Sequence, residues 1–201
     1  MSQIKFQSTS EQLAALAALD ARRSVPHKQI GEPAPDDATL LRMLHSAVRV
    51  PDHGKRVPFR FLSFSGEARH AFGERLAARS LALNPNASEA VINKERQRFS
   101  HAPLIVAVIA NLGPDDKIPE SERFSSASCA CFALLQAAQA LGFAGIWLTG
   151  WLAYDPEVRG WLGLSESERV VGFVHIGTPK LDVPERERPD PRDLLSEWQP
   201  S

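Results

Sequence analysis

Leu13, Leu16 and Leu19 recur at helical spacing and stop short of Arg22. An α-helix repeats about every 3.6 residues, so the three share one face. Ser8 with Glu11, and Thr9 with Gln12, offer capping-box pairs for the open N–H groups of the first turn. The Pro- and Gly-rich connector Gly31-Glu32-Pro33-Ala34-Pro35 follows, then a second stripe of Leu40, Leu41, Leu44 and Val48. Asp36 or Asp37 is its expected N-cap and Pro51 its stop, so this helix delivers Arg49, Asp52 and His53 at its exit.

The aromatic-rich stretch Phe59 to Phe64, bounded by Pro58 and Ser65-Gly66, reads as a strand. Ala68, Phe72, Leu76, Arg79 and Leu83 trace a third helix, and Asn86 followed by Glu89 opens a fourth, polar and exposed, whose Lys94, Arg96 and Arg98 read as a solvated face. Leu104 to Ala110 is apolar without alternation, as in a central strand covered on both faces. Glu120 to Leu141, ended by Gly142, is a long helix apolar on nearly every side and thin in its first half, to be buried all round in a core or against a partner subunit. Ala144 to Thr149 and Val170 to Ile176 read as two further strands, separated by a short helix that Asp155-Pro156 starts and Gly163 ends. After Pro179 the chain turns to proline and charge, yet Leu194, Leu195 and Trp198 are costly to leave in water, so the tail is expected to dock.

The chain has 201 residues and is 43% hydrophobic, which suits one domain over residues 1–201 with a Pro-rich extension from about 179. Its 23 basic and 24 acidic residues leave a formal charge of -1, so nothing draws it to nucleic acid or to an anionic membrane. No start resembles a secretion signal and no window is long enough to span a bilayer, so the expected location is cytoplasmic. Cys129 and Cys131 fall on different faces of one helix, where a disulfide is not expected. The six histidines include no pair at helical or zinc-finger ligand spacing, and no metal is expected. There is also no Gly-x-Gly-x-x-Gly, Walker loop or Gly-x-Ser-x-Gly elbow, which leaves dinucleotide dehydrogenases, P-loop enzymes and common hydrolases without support.

Arg22-Arg23-Ser24 closes the first helix. Two guanidinium groups and a hydroxyl at a helix-to-loop junction suit a phosphate, although arginines there also complement the helix dipole. Downstream come two glycine-punctuated segments, Gly145-Ile146-Trp147-Leu148-Thr149-Gly150 and Val171-Gly172-Phe173 running to Gly177-Thr178-Pro179. Bare backbone at glycines admits a flat ring.

With Val48-Arg49-Val50-Pro51-Asp52-His53 between them, these segments in this order resemble the nitroreductase family of FMN enzymes, and within it the small, minimal NAD(P)H nitroreductases, from helix one to about Pro191. The resemblance implies an α+β fold with a central, mainly antiparallel sheet flanked by helices, in an intertwined homodimer with FMN at the interface. It implies that Arg22 and Ser24 hold the FMN phosphate, that Arg23 bonds the ring or ribityl region, and that Trp147, Leu148 and Thr149 line the isoalloxazine, mostly through backbone. Arg49 and His53 match positions that reach the partner subunit's flavin, although His53 by itself reads as a surface histidine beside a proline turn. Arg188 matches a further phosphate contact, with Arg186 as its substitute.

No side chain is then expected to act as a catalyst, because the cofactor carries the redox chemistry. NADPH or NADH would pass hydride to FMN N5, and an oxidised acceptor such as a nitroaromatic or quinone would take the electrons in the same pocket by a ping-pong mechanism. Two positions depart from the family pattern. Pro26 stands where many relatives have a basic residue, with His27 and Lys28 next, and Leu148 stands where close relatives have arginine. These departures keep open a non-catalytic FMN store or sensor, and the fold also serves flavin-fragmenting and dehalogenating relatives.

Overall fold

The structure is a computed structural model and describes residues 9–200. Ser8 therefore lies outside the described residues, while Thr9 and Gln12 form the reciprocal capping box of α1 (Ser10–Asp20). The other helices are α2 (Asp37–Ala47), α3 (Gly66–Leu83), α4 (Glu89–Arg96), α5 (Glu120–Ala140) and α6 (Pro156–Trp161). The strands are β1 (Ile30–Gly31), β2 (Phe59–Ser65), β3 (Leu104–Asn111), β4 (Ala144–Leu148) and β5 (Glu168–Pro179). Local chemistry sets the boundaries. Asp36 caps α2 by accepting the Thr39 N–H at 2.8 Å, and Asp155 caps α6 by accepting the Glu157 and Val158 N–H groups, each at 3.0 Å, with Pro156 in the first turn.

All strand pairs among the described residues are antiparallel. β3 lies between β2 and β5; β4 pairs with β5 over Phe173 to Gly177, and the short β1 pairs with β5 at Thr178 and Pro179. The unbroken apolar run of β3 is buried from Leu104 to Ala110 because helices cover both faces of the sheet. One layer packs Met43 and Ala47 of α2 and Ala130, Leu134 and Ala138 of α5 against Val106, Val108 and Val174. The opposite layer packs Phe72 and Leu76 of α3, with Phe99 and Val158, against Ile105, Ile109 and Phe173. This is the expected α+β architecture.

Several apolar surfaces remain uncovered within the chain. Leu13, Leu16 and Leu19 on α1 are 56%, 54% and 49% exposed. α5 is not buried all round by its own chain: its inner face enters the core, whereas Phe124, Cys129 and Phe132 face outward. The tail does not dock on its own chain, and Leu194, Leu195 and Trp198 stay exposed. The basic run at the end of α4 also differs from a plain solvated face. Glu95 is buried and accepts two bonds from Arg98, both at 2.7 Å, and one from Trp151 Nε1 at 3.1 Å, while Arg96 pairs with Glu74 at 3.0 Å. Among the described residues no helix is long and apolar enough to cross a membrane.

Candidate functional site

α1 ends at Asp20 and the chain turns so that Arg22 and Ser24 face α5 and the end of β4. They line a cavity of about 520 Å³ together with Phe132 and Leu135 of α5, Trp147 of β4, and Thr149 just beyond β4. Arg22 Nη1 donates to Ser24 Oγ at 3.2 Å, so the two polar groups present a joint surface to the cavity. Phe132, Leu135 and Trp147 make the rest of the wall mainly apolar, with Thr149 at its edge, a combination suited to a planar ring with an anionic end.

An electrostatic strain sits at this polar end. Partial burial lowers the Arg22 pKa, and Arg188, Arg23 and Arg186 lower it further by repulsion. Arg22 also borders a second hollow, shared with Leu19, Asp20, Glu185 and Arg188. Glu185 binds two of these cations: its Oε1 accepts from Arg188 Nη2 at 3.1 Å, and its Oε2 pairs with Arg23. A multiply charged anion beside Arg22 would relieve this repulsion.

Arg23 points elsewhere. Its backbone N–H donates to Gln139 Oε1 at 3.2 Å and its Nη1 to the Asp20 and Arg22 carbonyls at 2.7 and 3.0 Å. Its side chain lines a separate groove with Val25, Gln139 and Phe143, so the structure gives it to the junction and not to the main cavity. Leu148 is also outside the cavity lining, as strand alternation requires, since Trp147 and Thr149 flank it. His27 does not take the place of the basic residue missing at Pro26. Its ring lies 5.4 Å from His101 and 5.8 Å from His175, and it is absent from the cavity lining.

His53 lies in a second cavity, of about 310 Å³, with Pro51, Ser121, Glu122, Ser125, Ser126 and Cys129. Its Nδ1 is 2.7 Å from Glu122 Oε2, and Ser126 Oγ donates to the Pro51 carbonyl at 2.7 Å, tying the loop after α2 to α5. Arg49 is exposed at the exit of α2 and lines neither cavity. Sequence reasoning missed Phe132, Leu135 and Glu122. The available signal was the presence of large side chains on a helix otherwise kept thin by alanine and serine. Cys131 is buried, which pushes its thiol pKa up, and neither cysteine is in a disulfide. Among the described residues no group of His, Cys, Asp and Glu could hold a metal ion.

Comparison with known proteins agrees with this picture. A model of the Nitroreductase family matches residues 19–178. The chain is 38% identical over 167 residues to the Escherichia coli (strain K12) protein named "Putative NAD(P)H nitroreductase YdjA", covering 83% of this chain and 89% of that one. Among solved structures, a nitroreductase-like family protein from Bacillus cereus superposes with a TM-score of 0.76 at 22% identity, over 97% of this chain and 98% of the other. A Desulfovibrio desulfuricans protein described as a "putative nitroreductase in complex with fmn" superposes with a TM-score of 0.72 at 19% identity, over 96% of this chain and 100% of the other.

Proposed function

Because the chain belongs to the nitroreductase family, we propose that it is an FMN-dependent NAD(P)H oxidoreductase whose cofactor lies in the cavity between Arg22 and Trp147. The observation that carries this reading is the pairing of Arg22 and Ser24, under repulsion from neighbouring arginines, with the apolar wall of Phe132, Leu135 and Trp147. The residues fit the group. Arg22 and Ser24 hold the phosphate by charge-assisted hydrogen bonds, and Arg188, carried by the tail, adds positive charge from the adjoining hollow. Arg186 contributes through its field, as does Arg23, which also fixes the junction. Trp147, Leu135 and Phe132 exclude water from the ring, and Thr149 with the backbone at Leu148 borders its edge.

When bound, FMN supplies the electron carrier, taking hydride from NADPH or NADH and passing electrons to a nitroaromatic or quinone in the same space, which gives ping-pong kinetics. The chain binds, orients and shields.

A homodimer completes the proposal. The outward residues Leu13, Leu16 and Leu19 of α1, Phe132 of α5, and Leu194, Leu195 and Trp198 of the tail form more uncovered apolar surface than a lone chain retains without cause. Packing two copies face to face brings His53 and Arg49 of the partner subunit to each flavin. In the second reading, a non-catalytic FMN store, the specific observation is that among the described residues Arg22 is the one cation in the cavity lining, with His27 turned away. Anaerobic mixing with NADPH separates the two: rapid bleaching of the flavin supports the reductase, and a flavin that stays oxidised supports the store.

Purified protein should be yellow, hold FMN and not FAD, and run as a dimer. Arg22→Ala should weaken FMN binding roughly tenfold to a hundredfold, since a hydrogen bond to a charged group is worth about 1.5 to 3 kcal/mol. An unchanged dissociation constant would return Arg22 to a helix-dipole role, and a colourless monomer that takes up no added FMN would end the proposal.

A further inference from the structure

Trp147 pairs across the sheet with Val174, and its indole reaches diagonally along the same face to Gly172. The ring lies so close over Gly172 that a methyl group built there would overlap indole Nε1 and Cδ1, far inside van der Waals contact. The same nitrogen donates to the Val171 carbonyl at 3.2 Å. One contact removes the space a side chain would occupy, and the other fixes the ring's azimuth. A second recess lies beside it: a methyl group on Gly145 would come within 2.9 Å of Leu135 Cδ2. Trp147 and Leu135 are both cavity walls, and each sits over a glycine of the sheet.

We infer that Gly172 and the Val171 carbonyl seat the Trp147 indole flush against the sheet, and that this seat holds open the cavity assigned above to the flavin. This rests on the FMN reading for the identity of the ligand, but not for the seat itself. Gly172 is thus a positioning residue: it is not part of this cavity's lining, yet the space available to a flat ring depends on its having no side chain. Substitution forces a choice. Gly172 pairs with Val108 of β3, beside the register shift between Val108 and Ile109, and β4 pairs with β5 from the next residue, Phe173; with the strand anchored there and the indole bordering the cavity, the ring is the part that swings away from the sheet. Such overpacking is relieved by the more mobile partner, here the side chain bordering empty space.

The test is a double-mutant cycle with Gly172→Ala, Trp147→Ala and the combination, each assayed as apo protein titrated with FMN and followed by quenching of flavin fluorescence. Gly172→Ala should weaken FMN binding about tenfold to a hundredfold. Trp147→Ala should weaken it less, and adding Gly172→Ala to that variant should cost nothing more, because no indole remains to be displaced. An equal Gly172→Ala penalty in both backgrounds, or no penalty in the wild type, overturns the inference.

A flavin-independent readout comes from the apo proteins. Subtracting the Trp147→Ala emission spectrum isolates Trp147, whose emission should move to the red in Gly172→Ala as the ring meets water. An unmoved spectrum overturns the seat even if FMN does not bind, whereas wild-type protein that ignores FMN overturns only the assigned ligand. Should Gly172→Ala fail to fold by circular dichroism, Trp147→Phe replaces it. That variant keeps a ring but loses the bond to Val171, and its FMN affinity should fall about threefold to tenfold; unchanged affinity counts against the inference.

Discussion

Acidification should unfold this protein through His175, and the effect can be sized. His175 is 1% exposed on β5, packed at 5.7 Å from the Phe99 ring, and its Nδ1 has no hydrogen-bond partner. Burial, followed by the fields of His27, Arg98 and His101, lowers its pKa from 6.5 to about 3. The unfolded chain therefore takes up a proton near pH 6.5 that the folded chain refuses until near pH 3. Stability is complete above the upper value and drains away as pH falls toward the lower one, at about 1.4 kcal/mol per pH unit. Between pH 7 and pH 5 the loss from this one group is about 2 kcal/mol. His27 and His101 have pKa values lowered in the same direction, by burial first and by cationic neighbours second, and add to the trend. His175→Leu isolates the central term. It removes an unsatisfied buried nitrogen, worth about 1 to 3 kcal/mol when left unpaired, so the variant should equal or exceed the wild type at pH 7. Urea unfolding of both proteins at pH 7, 6 and 5, at one protein concentration, should show the variant's advantage widening by about 2 kcal/mol. A gap that stays constant with pH would mean that His175 titrates alike in the folded and unfolded chains, and the argument from burial would fail.

Two further outcomes can be checked. Asp155→Ala removes both the cap of α6 and the carboxylate that Arg79 Nη2 meets at 2.9 Å, and should cost about 2 to 3 kcal/mol in urea unfolding; a loss under about 1 would show the helix start to be held by packing alone. If each flavin site draws Arg22 from one copy and His53 from the other, a heterodimer of Arg22→Ala and His53→Ala chains regains one intact site of its two. Titration of tight FMN sites in the doubly tagged, purified heterodimer should recover up to half the wild-type number, while no recovery from two folded, impaired homodimers would sink the cross-subunit assignment.

Features that depend on near neighbours were legible in the sequence. The capping box at Thr9 and Gln12, the Asp36 cap and the Asp155-Pro156 start are satisfied within a few residues, so the sequence alone carries them. β3 was legible for another reason: seven consecutive apolar residues have no half-exposed solution. Direction and partnership were not legible. The Arg23 backbone is tied to Gln139 and its guanidinium to Glu185, both far along the chain, as well as to the nearby Asp20 and Arg22 carbonyls, and the sequence does not record the distant partners. The stripes on α1 and in the tail announce burial without naming what buries them, and the same holds for α5, whose composition does not distinguish a face covered by its own chain from one left for a partner subunit. Leu148 differs, because alternation along β4 already opposes it to Trp147 and Thr149. Phe132 and Leu135 carry no motif, since a smooth apolar wall requires only size and shape.

α5 contributes walls to both cavities: Phe132 and Leu135 to the larger, and Ser121, Glu122, Ser125, Ser126 and Cys129 to the smaller. At about 1.5 Å rise per residue, Ser125 and Phe132 stand roughly 10 Å apart along one rigid rod. The helix therefore acts as a ruler, fixing the separation and the angular phase of the two hollows at once. Inserting or deleting one residue between them would rotate one wall by about 100° relative to the other. Side chains on this rod can be exchanged one at a time, but its length cannot change without putting the two hollows out of phase.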